Sequence, residues 1–317
     1  MRKIKNRRIA SIVGYASSWI SMAMVACVCL LILLVVFING KSAISIPFLI
    51  EEPSASVMDP EAMGGISTPL IGTMILTAVG TAAAFPISLS TAVFMVYYAK
   101  KGLAGASIGL ATDILAGIPT IVIGLFALAV FTDPAFTFLS TPVQNDGGVV
   151  LKAYGKSFLS AGAAMAAMIL PFVAKAMYEA LSRTPQSHFD GSLALGATKW
   201  QTIRKVSIPA ARGGIVTGMI LGMGRIMGDT AIVWLALGGS LRMTGRQPWH
   251  RPENWIDALR NTGSTLTSYI YYTSPVGEGN NLEAAFGASL VLICVIIALN
   301  AAAALIGSIG DSKKGWQ

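Results

Sequence analysis

The sequence predicts an all-α integral membrane protein with six transmembrane helices, and three observations support this fold class. Hydrophobic residues make up 54% of the 317 residues, and charged residues make up only 12%. So few polar side chains cannot cover the surface of a soluble domain of this length. The apolar residues are also gathered into runs that are long enough to cross a bilayer.

Six apolar segments have the length of a membrane span, and the first of them follows a basic tail. This first run is too long for the apolar core of a cleaved signal peptide, so we expect a retained helix. The division gives a tail over 1–11, a membrane domain over 12–310 and a second tail over 311–317. The six spans lie at roughly 12–38, 68–98, 105–131, 156–178, 212–238 and 284–308.

The positive charges predict which side of the membrane each loop occupies. An even number of spans puts both termini on one side. If that side is the cytoplasm, the inner segments hold fifteen Lys and Arg residues and the outer loops hold seven. The positive-inside rule therefore predicts cytoplasmic termini and a cytoplasmic loop over 179–211. This placement explains the net charge of +8 without a nucleic-acid partner.

The three predicted outer loops differ in character. The loop over 39–67 is acidic and rich in Pro and Gly, and we expect it to be irregular with a short helix along the interface. The loop over 132–155 carries turn signals at Asp133-Pro134 and over 145–148. The loop over 239–283 is rich in Trp and Tyr, which suits either an aromatic belt at the membrane interface or a landing surface for a soluble partner.

The polar, basic stretch over 185–208 is here called the coupling segment. Its sequence predicts two short helices joined by a hinge. Thr184 can cap the first helix, with Pro185 at its first position. Gly196 is expected to end that helix in the left-handed conformation, and Thr198 with Gln201 predicts a capping box that opens the second helix. Pro209 then stops the second helix before the next apolar run.

The coupling segment also resembles a known motif. Asp190-Gly191-Ser192-x3-Gly196, nine residues, and Val206-Ser207-Ile208-Pro209 are similar to the E-A-A-x3-G-x9-I-x-L-P loop of ABC-importer permeases. In that family the loop docks into a groove of a separate ATPase. The resemblance implies a type I (MetI-like) permease fold and ATPase coupling through Asp190, Gly191, Ser192, Leu195, Gly196, Ala197, Thr198 and Pro209.

A second resemblance narrows the family. The run from Gly117 to Phe126, GIPTIVIGLF, resembles the G-[IV]-P-[ST]-[IV]-V-x-G-L-[FW] segment of phosphate-importer permeases. Among the phosphate-importer permeases, the chain resembles the PstA-type subunit more than the PstC-type subunit. The run from Ile220 to Arg225, however, resembles the PstC type more. Asp113 lies one turn before this segment. We favour a structural role for it, in which its side chain reaches the interface or caps a neighbouring helix.

Arg225 and Asp229 lie near the middle of the fifth span. A charge at that depth is unfavourable unless it is paired or in contact with water. Both residues are therefore functional candidates. Their i,i+4 spacing predicts that they share one helix face and neutralise each other. Either they form a buried ion pair that pins two helices, or Arg225 lines a path and meets an oxyanion with its planar donors. Four glycines of this span would let a backbone or an ion approach closely: Gly218, Gly222, Gly224 and Gly228.

Phosphate permeases have G-R-x-x-G-E-T at this position, where the chain has Gly224-Arg225-x-x-Gly228-Asp229-Thr230. The resemblance implies that Arg225, Asp229 and Thr230 lie on the translocation path. Aspartate replaces the family's glutamate, which keeps the charge but shortens its reach by one methylene group.

Several kinds of chemistry have no sequence support. The chain has no G-x-x-x-x-G-K-[ST] phosphate loop, no H-E-x-x-H and no plausible Ser/His/Asp set within the membrane. It has no metal-ligand spacing, since His188 and His250 are its only histidines. We therefore expect a transporter subunit and not an enzyme, with no cofactor of its own. ATP and Mg²⁺ would be bound by a partner ATPase.

The resemblance as a whole implies the permease subunit of an ATP-driven phosphate importer in a bacterial inner membrane. Its partners would be a homologous second permease, two ATPase subunits and an extracytoplasmic phosphate-binding protein. The alternatives are a PstC-type subunit, a permease for another oxyanion, an ATP-independent carrier or channel, and a membrane scaffold that transports nothing. Without the resemblance, the chemistry of these residues indicates only that the substrate is an oxyanion.

Overall fold

The computed structural model describes residues 2–53, 64–99, 102–144, 150–246, 248, 251–277, 279 and 281–311. This part of the chain is mainly helical, which confirms the predicted all-α class. Its α-helices are α1 Arg2–Gly40, α2 Ile46–Ile50, α3 Ser67–Val93, α4 Leu103–Gly117, α5 Thr120–Phe131, α6 Phe158–Ser182, α7 Gln186–Ala194, α8 Lys199–Thr202, α9 Ile208–Ala210, α10 Arg212–Gly228, α11 Trp255–Arg260, α12 Leu266–Thr273 and α13 Leu282–Asp311.

Three π-helical turns interrupt or extend these helices. Phe94–Tyr98 continues α3, Ile203–Ser207 joins α8 to α9, and Val233–Leu237 follows the end of α10. Short 3₁₀ turns lie at Pro134–Phe136, Pro252–Asn254 and Pro275–Gly277.

Among the described residues, four helical segments are long and apolar enough to cross a membrane: Val13–Gly40, Ser67–Tyr98, Phe158–Ser182 and Leu282–Ala302. Two bent pairs also pass the same test, α4 with α5, and Lys199–Ala210 with α10. Counting each pair as one span gives six, which agrees in number with the prediction, although the second pair begins inside the predicted loop 179–211 and not at 212.

The third predicted span, 105–131, is bent sharply and is not one straight helix. Its two halves, α4 and α5, meet at an angle of 97°. Ile118 is extended, with ψ 127°, and Pro119 follows it. Proline has no N–H to continue a helix and pushes the preceding residue out of the helical region, so the apolar run breaks at this point.

Helix α6 lies at the centre of the fold and packs against α3, α10, α4 and α5. Its buried face carries large side chains such as Met165, Ile169 and Met177. Small residues let α3 approach it closely, since a Cβ at Gly80 would lie 3.3 Å from Cβ of Met165. Helix α1 packs against α13, and its part Val13–Gly40 is otherwise largely exposed, as expected for a helix that faces lipid.

The predicted outer loops contain the only strands of the described residues. Strand β1 (Pro142–Gln144) pairs antiparallel with β2 (Val150–Ala153), which adds a hairpin that the all-α prediction omits. Asp133 accepts a hydrogen bond from the Ala135 N–H, as the turn signal predicts, whereas the signal over 145–148 lies outside the described residues. The expected short helix in the first loop is α2.

Candidate translocation site and coupling segment

Helix α10 ends at Gly228, in the middle of the predicted fifth span. Asp229 is extended, with φ −81° and ψ 135°. Its carboxylate accepts a hydrogen bond of 2.8 Å from the Ile232 N–H and so caps the turn that follows. The prediction of one continuous helix over 212–238 is therefore wrong, because a capping aspartate divides the run into two halves.

Arg225 and Asp229 do not form the predicted i,i+4 pair on one helix face. Among the ion pairs of the described residues, none joins them, although they are close enough to interact electrostatically. The break at Asp229 turns its carboxylate toward the Ile232 N–H and the Thr120 side chain, at the start of α5. The aspartate therefore caps the turn after the break and faces the start of α5, and it forms no ion pair with the arginine.

Arg225 is exposed and lies over an aromatic ring. Its guanidinium carbon is 3.8 Å from the centre of the Phe172 ring of α6. A cation–π contact of this kind positions the charge without neutralising it. The guanidinium keeps its permanent positive charge and its planar set of N–H donors.

The four glycines of the span divide into two pairs. A Cβ at Gly218 would lie 2.8 Å from Cβ of Ala176, and one at Gly222 would lie 2.6 Å from Cγ2 of Val173. This pair therefore lets α10 pack tightly against α6. A Cβ at Gly224 or at Gly228 would meet nothing within 4 Å.

We call the exposed side of α10 its open face. Leu221 on this face is 63% exposed, whereas its neighbour Ile220 is 7% exposed. The side is exposed in the single chain, so it is free to line a path or to meet a second subunit. The open face consists of Thr217, Leu221, Gly224, Arg225 and Gly228.

A second charged group, on the helix that carries Phe172, was not singled out from the sequence. Lys175 lies three residues after Phe172, which places both on one side of α6. Its ammonium forms an ion pair with Asp113 of α4, and both side chains are more than half exposed. The expected structural role of Asp113 thus takes the form of a cross-helix pair. The available signal was a lysine within the apolar run, 19 residues after Lys156 at its start.

The peptide around Asp229 is also held by α12. The Thr267 hydroxyl donates to the Asp229 carbonyl oxygen at 3.0 Å, and the Leu266 N–H donates to the Thr73 hydroxyl of α3 at 2.8 Å. Thr230 accepts a hydrogen bond on its carbonyl oxygen from the Trp234 N–H at 3.0 Å. The break in the fifth span therefore has a defined set of partners.

The coupling segment has the two-helix form that the sequence predicts, with two corrections. Gly196 has φ 85°, and Thr198 and Gln201 form the capping box. Thr184 is not the cap, because its hydroxyl donates back to the Leu181 carbonyl oxygen and Pro185 takes the N-cap position. Pro209 lies inside α9, and the chain turns at Ala211, where α9 and α10 meet at 71°.

The predicted ATPase contacts lie together on this segment. Leu195 is 91% exposed beside the hinge. The two helices are tied by the Ser192 and Thr202 hydroxyls, 2.9 Å apart, and by the Ala197 N–H, which donates to the Ser192 carbonyl oxygen. Asp190 accepts from Gln186 at 3.2 Å, and Gly191 faces open space.

An aromatic stack attaches the coupling segment to the membrane domain. Phe189 of α7 stacks on Tyr97, with ring centres 5.1 Å apart. Tyr97 belongs to the π turn that ends the second span. The stack therefore places α7 in direct contact with the end of the second span.

Comparison with known proteins shows the family. Residues 84–314 match the model of the binding-protein-dependent transport system inner membrane component. The match covers most of the chain, which therefore belongs to this family of membrane permeases.

Two relatives are named as phosphate transport permeases. The PstC protein of Xylella fastidiosa is 34% identical over 189 residues, which cover 57% of this chain and 58% of that protein. The match thus spans less than two thirds of that relative. The PstA 1 protein of Mycobacterium tuberculosis is 28% identical over 258 residues, which cover 81% of this chain and 75% of that protein. Both predicted subunit types are thus represented.

A solved structure shows the fold. The chain is similar to one of a bacterial alginate ABC transporter in complex with a periplasmic protein bound to an alginate pentasaccharide, with a TM-score of 0.56 at 15% identity. The similarity covers 90% of this chain and 92% of that one. The predicted ABC-importer permease fold is confirmed.

Proposed function

We propose that the chain is the permease subunit of an ATP-driven importer of inorganic phosphate, with Arg225, Asp229 and Thr230 on the translocation path. The observation that carries this proposal is an exposed guanidinium on the open face of α10, next to the break at Asp229. The names of both relatives support phosphate as the anion.

The path is suited to passing an anion without retaining it. Arg225 offers permanent charge and several donors, which suits a tetrahedral oxyanion. Asp229 lies near enough to weaken the local positive potential, and it is fixed by its own cap to Ile232. A site with an arginine alone would bind phosphate more tightly and release it more slowly.

The coupling segment would transmit ATP-driven motion. An exposed Leu195 at a glycine hinge offers an apolar knob for a groove in an ATPase. Movement of Leu195 would be transmitted to α3 by the Phe189–Tyr97 stack, and to α10 by the 71° bend at Ala211. Both termini and this segment would lie in the cytoplasm, following the positive-inside rule.

The assembly would contain a homologous second permease, two ATPase subunits and an extracytoplasmic phosphate-binding protein. The open face of α10 would meet the second permease across the path. The choice of the PstA-type subunit follows the sequence resemblance, because PstA-named and PstC-named relatives match over similar lengths, 258 and 261 residues.

The test is uptake of radiolabelled phosphate into proteoliposomes that contain this chain and its candidate partners, with ATP supplied on one side at a time. We expect uptake only with ATP on the side of the coupling segment. Arg225→Gln should lower uptake at least about tenfold, because one charge-assisted contact contributes roughly 1.5–3 kcal/mol.

The matched control is Arg212→Gln, which removes the same charge from the start of the same helix, away from the break. It should leave uptake nearly unchanged. Uptake without ATP would replace the proposal with a secondary carrier, and normal uptake by Arg225→Gln would remove Arg225 from the path.

A further inference from the structure

An apolar cavity of about 250 Å³ lies where the end of α3 meets the segment that leads into α10. Its lining includes Ser90, Phe94 and Tyr98 on one side and Trp200 and Ile208 on the other. The three aromatic side chains are between 39% and 56% exposed, so the cavity opens to the surroundings of the chain. An open apolar cavity on a membrane protein is suited to a hydrocarbon chain.

The aromatic residues indicate the depth of this cavity. Tyr98 ends the candidate span Ser67–Tyr98, and Trp200 follows the polar hinge of the coupling segment. Tyr and Trp concentrate at the level of lipid headgroups, where their rings meet apolar groups and their polar atoms meet water. The cavity therefore lies where an acyl chain joins its headgroup.

Three cations lie on the segment that carries Trp200 and Ile208, and one of them contacts the lining of the cavity. The Lys199 ammonium is 4.2 Å from the centre of the Tyr98 ring, a ring that lines the cavity. Arg204 and Lys205 are exposed on the π turn that runs into Ile208. None of these three cations takes part in an ion pair among the described residues. Basic side chains at this level attract anionic lipid headgroups.

We propose that this cavity binds an anionic phospholipid, with one acyl chain between Ser90 and Trp200 and the phosphate against Lys199. Such a lipid would bridge α3 and the coupling segment, so the motion of that segment would depend on the lipid. This inference rests on the cavity and its cations, and it holds whichever solute the permease carries.

Trp200 supplies the probe for a direct test. The full chain is reconstituted in phosphatidylcholine bilayers that contain a minor fraction of either brominated phosphatidylglycerol or brominated phosphatidylcholine. Bromine quenches indole fluorescence on contact, and the difference between wild type and Trp200→Phe isolates the signal of this tryptophan. We expect Trp200 to favour phosphatidylglycerol about fivefold, the ratio given by one basic residue near a membrane surface.

Variants of Lys199 and Ser90 separate the headgroup contact from the cavity. Lys199→Gln should abolish the preference for phosphatidylglycerol, and Lys199→Arg should keep it. Ser90→Leu should fill the cavity and reduce quenching by both lipids. Ser107→Leu is the control, because Ser107 is also exposed and also donates to the carbonyl oxygen four residues earlier, but on α4.

Two results would overturn the proposal, provided that circular dichroism shows a folded protein. Equal quenching by both lipids in the wild type would mean ordinary boundary lipid with no site. Absence of quenching by either lipid would mean that no acyl chain enters the cavity and that a protein surface covers it.

Discussion

The two sides of α10 differ, although both are rich in glycine. On one side Gly218 and Gly222 bring the helix against Ala176 and Val173 of α6. On the open face Gly224 and Gly228 leave empty space beside Arg225. The same residue type thus accompanies close packing on one side of the helix and open space on the other. The identity of a glycine does not reveal its role, but the direction in which it faces does.

Substitution by leucine should distinguish these two sides most strongly. Gly222→Leu would force a side chain into Val173 and Ile169 and should lower the free energy of unfolding by about 1–3 kcal/mol or more. Gly224→Leu should leave stability unchanged and obstruct uptake, because its side chain enters empty space. Denaturant unfolding in detergent measures the first effect and proteoliposome uptake measures the second. Equal loss of stability in both variants would contradict the comparison.

The hinge of the coupling segment offers a similar contrast between two glycines that both face open space. Gly196→Ala should be unfavourable by about 1–2 kcal/mol, since φ 85° is strained for any residue with a Cβ. Gly191→Ala, inside α7, should instead favour the helix by up to about 1 kcal/mol. Thermal unfolding would show shifts of opposite sign. Shifts of the same sign would mean that the hinge is not a left-handed cap.

The break beside the open face should respond differently to loss of charge and loss of the cap. Asp229→Ala removes the acceptor for the Ile232 N–H and should lower stability by about 1 kcal/mol. Asp229→Asn keeps an acceptor oxygen and should fold normally. Without the negative charge it should bind phosphate more tightly and release it more slowly, so both KM and kcat should fall. Unchanged kinetics in a folded Asp229→Asn would separate this carboxylate from the path.

The smallest effect is expected at the ion pair between Lys175 and Asp113. Both side chains are more than half exposed, so replacing Lys175 by Met should change the free energy of unfolding by less than about 1 kcal/mol if water reaches this region. The matched variant Asp113→Asn should change the free energy of unfolding by a similarly small amount. If either variant lowered the free energy of unfolding by several kcal/mol, the ion pair would be shielded from water. That result would exclude a water-filled path at this depth.

The coupling segment was largely predictable because its signals are local. A positive-φ glycine and the box formed by Thr198 and Gln201 are set by residues within one helical turn. The errors at Thr184 and Pro209 are small shifts of the helix ends. They arise because the previous helix and a π turn, Ile203–Ser207, take over the adjoining residues.

The candidate path was predictable in composition but not in geometry. Arg225 and Asp229 stood out as charges in an apolar run, but hydropathy does not distinguish a continuous helix from one divided by a capping aspartate. The partners of these charges are remote in sequence, as with Phe172 for Arg225 and Thr120 for Asp229. Such contacts depend on helix packing, which one sequence does not reveal.

The most direct test of the central claim, that the open face lines an aqueous path for an anion, uses thiol labelling at two adjacent positions. Leu221→Cys and Ile220→Cys are made in a background in which the native cysteines, Cys27, Cys29 and Cys294, are replaced by serine. Each variant is assembled with its partners and treated with a membrane-impermeant methanethiosulfonate reagent, with and without phosphate.

Leu221→Cys should react and be slowed by phosphate, because the open face is wet and phosphate passes it. Ile220→Cys, which differs by one position but points into the packed side, should not react. An unreactive Leu221→Cys, or one whose reaction phosphate does not slow, would contradict the account and place this face against lipid or a dry protein interface.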